Sequence, residues 1–133
     1  AEADIEAILA SGDAGAILRL GDAARLARRV DLAERAYRTV RERHGGGALA
    51  ARAAFALGRL AFDVEGDAAA AARWFSAYLA EAPGGALARD AQGRLMEAQY
   101  RAGNATAARE AARTYLERYP NGPHRPLAES LRD

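Results

Sequence analysis

Cysteine is absent from the 133-residue chain, which removes disulfides, thiolate metal sites and cysteine catalysis together. Its absence fits cytosol and periplasm equally. Lysine is absent too: all 19 basic residues are arginine, set against 18 acidic ones for a net charge of +1. Such lysine-free, Ala/Arg/Gly-heavy usage is what a GC-rich genome produces, a bias of origin rather than a selected basic surface. The near-neutral balance argues against a dedicated nucleic-acid binder, which needs a strongly basic face. Valine occurs only at Val30, Val40 and Val64, and aromatics make up 7% of the chain. Sandwiches and barrels draw on those residues, so an all-β fold is excluded. No run approaches the roughly 18 apolar residues of a membrane span, so this segment is not expected to insert in a bilayer. No initiator Met or signal peptide stands at its start, and the sequence reads as an excised or processed piece of a larger protein.

Alanine is what the chain has in excess. It occupies 37 positions, more than a quarter, and accounts for most of the 50% hydrophobic content. Alanine is the best helix former and lets helices approach closely. At this length one domain of ordinary size is expected.

Three glycine- and proline-rich breaks divide the chain: Gly45-Gly46-Gly47, Pro83-Gly84-Gly85 and Pro120-Asn121-Gly122-Pro123. Tyr78-Leu79 and Tyr115-Leu116 each stand five residues before the proline, and Gly47-Ala48-Leu49-Ala50 recurs as Gly85-Ala86-Leu87-Ala88. The period is 37 to 38 residues. Fixed self-similarity of this length marks a repeat architecture. A weaker break falls inside each period, at Arg29-Val30-Asp31, at Asp63-Val64-Glu65-Gly66-Asp67 and at Ala102-Gly103-Asn104. Asp31, Asp67 and Asn104 are suitable N-caps there.

Each unit therefore reads as a helical hairpin. The first helix runs over Ala14–Arg28, Ala48–Phe62 and Ala86–Ala102, the second over Leu32–His44, Ala68–Ala82 and Ala105–Tyr119. Apolar residues recur at helical spacing: Ile17, Leu20, Ala24 with Ala33, Tyr37, Val40, then Ala54, Leu57, Ala61 with Ala71, Phe75, Tyr78. The third unit has polar departures at Gln92 and Gln99. Glycine inside a helix costs up to about 1 kcal/mol relative to alanine, so Gly21 and Gly58 imply crowding by the partner helix.

These positions resemble the tetratricopeptide repeat. Leu20-Gly21, Ala24, Ala33 and Tyr37 carry the likeness in the first unit, with Arg28 where the turn glycine belongs. Leu57-Gly58, Gly66, Ala71, Phe75 and Pro83 carry it in the second, which has one extra residue in its inner turn. Leu95, Gly103, Ala108 and Pro120 carry it in the third, where Met96 replaces the packing glycine and Tyr115 the last small residue. The resemblance implies an all-α fold, an α-solenoid of about three hairpins with partial flanking or capping helices. The expected divisions of a single domain are 1–12 (flanking helix), 13–46, 47–84 and 85–121 (repeats) and 122–133 (capping helix). Terminal repeats need such caps. Ile5, Ile8 and Leu9 give the first flank an apolar face, and Pro126 to Leu131 begins the last helix. The phrases Trp74 to Leu79 and Tyr115 to Pro123 further resemble repeat modules of bacterial envelope proteins. Those include outer-membrane assembly lipoproteins, Tol–Pal coordinators and the C-terminal regions of FecR-type regulators. That likeness implies a periplasmic module, with a cytoplasmic one as the alternative.

No catalytic constellation is present. His44 and His124 are distant in sequence; a histidine at a helix end is a favourable dipole partner, and two histidines without cysteine make a poor zinc or triad set. Gly45-Gly46-Gly47 lacks the basic and hydroxyl residues of a phosphate loop. Asp63, Glu65 and Asp67 have the wrong spacing for a calcium loop. No enzyme activity, cofactor, metal or small-molecule substrate is expected. Trp74 is assigned to core or inter-repeat packing, near the next unit's first helix, rather than to an exposed anchor.

The resemblance places a binding groove on the concave side, lined by the first helices. Its positions are Asp22 and Arg25 in the first unit, then Arg52, Phe55, Arg59 and Phe62, then Asp90, Glu97, Tyr100 and Arg101. Arginine grips carboxylates in forked pairs, and aromatics bury apolar side chains of a partner. Against this, Phe55 and Phe62 could turn into the core, and Arg/Asp neighbours could pair in solvent. The Asn-and-Lys carboxylate clamp of chaperone-binding relatives is absent. The expected function is a non-catalytic interaction module for another protein or peptide segment. A structural spacer that self-associates through terminal repeats stands second, and nucleic-acid binding last.

Overall fold

The computed structural model describes all residues 1–133, and every regular element is helical. Eight helices follow in order: α1 (Glu2–Ala10), α2 (Ala14–Leu26), α3 (Val30–Arg43), α4 (Ala48–Arg59), α5 (Ala68–Glu81), α6 (Ala88–Arg101), α7 (Ala105–Arg118) and α8 (Arg125–Leu131). Helix α4 continues into a π-helical turn over Leu60–Glu65. The pairs α2/α3, α4/α5 and α6/α7 are hairpins, and α3 packs on α4, α5 on α6 and α7 on α8, so each unit stacks on the next.

The glycine–aromatic pairs explain the hairpin spacing. A Cβ on Gly21 would lie 2.6 Å from Tyr37 Cε1, and one on Gly58 would lie 2.7 Å from Phe75 Cε1. Tyr37 and Phe75 are wholly buried. The third hairpin reverses the sizes: Met96 stands at the glycine position of α6 and Ala112 at the aromatic position of α7, both fully buried in one cluster. The same space is filled from the opposite helix, which is how a packed core tolerates such a swap.

The extra residue of the second unit is absorbed in its inner turn. The hairpin turns in the first and third units close with Arg29 N–H donating to Ala24 O and Asn104 N–H to Gln99 O, five residues back. In the second unit Asp67 N–H reaches Ala61 O, six residues back at 2.8 Å, and the wider loop is the π-helical turn. Arg28, Gly66 and Gly103 occupy the same left-handed position, with φ of 60°, 67° and 83°. Arg28 thus adopts a conformation that glycine takes at no steric cost. The expected caps need correction. Asp67 does accept from Ala70 N–H, whereas Asp31 lies inside the first turn of α3 behind Arg29. Asn104 precedes α7 but donates its side-chain amide to Gln99 Oε1 at 3.0 Å. Buried Gln92 is satisfied by donating to Ala111 O across α6 and α7.

A second repeated device joins one hairpin to the next. Leu87 N–H donates to Tyr78 Oη at 3.0 Å, and His124 N–H donates to Tyr115 Oη at 2.9 Å. Gly85 and Gly122 lie directly under these hydroxyls, where a Cβ would collide. The binding of Leu87 holds the chain in a turn until Ala88, so α6 begins two residues later than its alanine pattern predicts. The first unit has Val40 at the tyrosine position, and Gly47 accordingly has open space around it. Removing the acceptor with Tyr115→Phe leaves the His124 amide unpaired and is expected to cost about 1–2 kcal/mol in chemical denaturation.

Trp74 is half-buried in inter-repeat packing, set against the first core cluster, which includes α3, and against the second, which includes α6. The guanidinium groups of Arg38 and Arg41 each lie 5.5 Å from its ring centroid. Arg41 also makes a forked pair with Glu81 at 2.8 and 2.9 Å and donates to Ala50 O at 2.8 Å. That pairing holds the Glu81 carboxyl below the usual carboxylate range. At the ends, α1 lays Leu9 on the first hairpin and α8 lays Ala128 on the third. No helix is long and apolar enough to cross a membrane.

Candidate functional site

Stacking α2 beside α4 leaves a cleft of about 540 Å³, closed at one side by the loop before α6. Leu18, Ala56 and Leu87 give it an apolar lining, and Phe55 forms part of its wall. Phe55 turns inward, packing edge-on against Phe75 and Tyr78 with centroids 5.5 and 5.7 Å away. Its ring belongs mainly to the core, at 3% exposure. The apolar stripe that packs the hairpin therefore also forms the wall of the cleft.

Five of the ten groove positions line this cleft: Asp22, Arg25, Arg52, Phe55 and Arg59. Arg52 is exposed at the rim, and Arg25 and Arg59 are half-buried. None of the three arginines has an ion pair within 4 Å. The Nε atoms of Arg25 and Arg59 are shielded from solvent without any hydrogen-bond partner. Arg59 stacks on the Phe55 ring at 5.4 Å. Burial lowers the Arg59 pKa from its ordinary value, and the nearby positive charges of Arg25 and Arg94 lower it further. A buried donor without a partner is a standing cost, and a guanidinium without an ion pair beside an apolar lining is open to a forked contact with an anion.

Asp22 is committed elsewhere. Tyr37 Oη donates to Asp22 Oδ1 at 2.7 Å. Burial of the phenol, aided by that carboxylate and opposed by the Arg25 guanidinium, pushes the Tyr37 pKa from 10.0 up to about 12. The phenol is held neutral in the fold, so its stabilising contribution is complete below pH 10 and disappears between about 10 and 12. Alkaline titration followed by tyrosinate absorbance and circular dichroism should show Tyr37 ionising with unfolding in that window. Tyr37→Phe should flatten the loss of stability there.

The other five groove positions do not join the cleft. Arg101 lies over the Phe62 ring at 4.9 Å, near the inner turn. Asp90 accepts from Arg94 Nε at 3.3 Å. Glu97 lies 3.2 Å from His124 Nε2 and 4.0 Å from Arg101. Tyr100 projects into solvent at 58% exposure. His124 packs its ring on Gly93 and edge-on to Tyr115, so it serves the α6/α8 seam. No three His, Asp or Glu side chains gather as a metal ion would require.

Arg94 is the residue the groove positions omit. It links Asp90 on its own helix to Asp63 in the π-helical turn at 3.4 Å. Its signal in the sequence is the i, i+4 pair Asp90/Arg94; the extra residue that carries Asp63 toward α6 gives none. Leu18 and Leu87 were equally hidden, because both look like ordinary packing residues.

The tetratricopeptide repeat profile matches residues 18–86, just over half the chain. The chain belongs to the tetratricopeptide repeat family. No curated protein matches it. The matched residues include both glycine–aromatic hairpins and nearly the whole cleft lining, from Leu18 to Ala86. Tetratricopeptide repeats are in general non-catalytic modules for protein–protein interaction. In this tetratricopeptide chain the surface between α2 and α4 combines apolar lining with unpaired guanidinium groups.

Proposed function

We propose that this domain is a non-catalytic docking module that holds a segment of another protein in the cleft between α2, α4 and the loop before α6. The observation that carries the reading is the pair Arg25 and Arg59, whose Nε donors are dry and unpartnered at the edge of an apolar cleft. Apolar lining supplies affinity and the guanidinium forks supply orientation, the division of labour usual in recognition sites. The likeness of the Trp74 and Tyr115 phrases to envelope modules supports a setting in the bacterial cell envelope, with the periplasm favoured.

The cleft can be blocked from its rim without disturbing the core, since Ala48 and Ala86 line it and are exposed. A random peptide library displayed on phage should yield binders to the natural domain. Those binders should be lost on the folded Ala48→Trp/Ala86→Trp variant. Binders that tolerate both tryptophans would place the docking surface elsewhere.

A further inference from the structure

A second cleft, about 470 Å³, opens along the inner turns of the first two hairpins. It shares Arg25 and Arg59 with the first, so these two side chains stand on the divide between the two. Its lining includes Leu26 and Val64, which are 75% and 57% exposed, and behind them Val30 and Leu60. Single exposed apolar residues need no explanation, but two on the rim of one cleft beside unpaired arginines do. Leu26 follows Arg25 at the end of α2, and Val64 lies in the π-helical turn, so the extra residue of the second unit helps build this rim.

The charge of the combined surface is one-sided. The two clefts present five arginines against two aspartates. Asp22 accepts from the Tyr37 hydroxyl, and Asp63 pairs with Arg94, which leaves Arg25, Arg28, Arg52 and Arg59 without an ion pair. The whole chain carries only +1, so this is a local concentration of positive charge on a balanced protein. Its repulsion is what an acidic group would relieve.

From this layout we infer that the two clefts are one continuous track for an extended acidic segment of a partner protein. The segment places a side-chain carboxylate on Arg25 and Arg59, one apolar residue in the α2/α4 cleft and another against Leu26 and Val64. The recognised pattern is thus apolar, acidic, apolar. A carboxylate on the divide pairs with the guanidinium groups of both arginines, neither of which has an ion pair of its own. The inference rests on the docking role proposed above and adds the chemistry and register of what is docked.

The test is the sequence of the peptides selected from the same phage library, on three proteins. The natural domain should enrich an acidic residue flanked by apolar ones. Arg25→Gln/Arg59→Gln should keep the apolar preferences and lose the acidic one. Leu26→Ser/Val64→Ser should lose only the second apolar position. Binders that the rim tryptophans block but that show no acidic position would overturn this inference and leave the docking role standing. A library with no tryptophan-sensitive binder would overturn both. Polyuridylate that binds the natural domain and not Arg25→Gln/Arg59→Gln would overturn the assignment to a protein carboxylate.

Discussion

Gly58→Met and Phe75→Ala should each destabilise the domain severely, and together they should restore most of what either loses. Phe75 is fully buried, so truncation to alanine is expected to cost about 3–5 kcal/mol. Methionine at position 58 drives a side chain into the Phe75 ring, already 2.7 Å from where a Cβ would stand. Overpacking of that kind costs about 1–3 kcal/mol or more. The third hairpin already carries the combined solution, since Met96 and Ala112 hold the equivalent positions without exposure. A double-mutant cycle by chemical denaturation should therefore give a favourable coupling of about 2 kcal/mol or more, within the range seen for residues in contact. Additive losses would mean that the third hairpin is packed on a different principle from the first two.

Arg52→Glu with Arg59→Glu should abolish capture of a selected peptide and leave thermal unfolding almost unchanged. Each forked contact to a carboxylate is worth about 1.5–3 kcal/mol, and reversing charge adds repulsion, so a loss of roughly a hundredfold or more is expected. The fold should change little because Arg52 is exposed and Arg59 has no ion pair to lose; its contact with the Phe55 ring and the attraction of Asp22 are offset by relief of the repulsion from Arg25 and Arg94. Fluorescence anisotropy with a labelled peptide reads the first effect and circular dichroism the second. Unaltered affinity in a folded variant would move the site off this face.

The hairpins were legible because their constraint is local and steric. A glycine in a helix, with an aromatic sixteen or seventeen residues later, needs no tertiary knowledge to imply two helices in contact. The helix ends followed less closely. Val30 begins α3 two residues early because the turn closes at Arg29, whose N–H donates to Ala24 O, and the Tyr78 hydroxyl of the stacked neighbour delays α6. The single inserted residue near Gly66 was visible, but its conversion into a π-helical turn was not.

The site was half legible for a related reason. Asp22, Arg25, Arg52, Phe55 and Arg59 come to one cleft because α2 and α4 lie side by side, while Asp90, Glu97 and Arg101 find partners on their own helix or on His124. Pairing of this sort cannot be told from groove exposure by spacing alone. Leu26 and Val64 carry no binding signal in the sequence, because only the turn geometry brings them to one rim.

The most direct observation is the side-chain Nε–Hε nuclear magnetic resonance signals of the arginines, followed as a selected acidic peptide is added. Arg25 and Arg59 should shift first and exchange with water most slowly once the peptide is bound. Shifts confined to arginines of α5 and α7, such as Arg73 and Arg109, with Arg25 and Arg59 unmoved, would contradict the account.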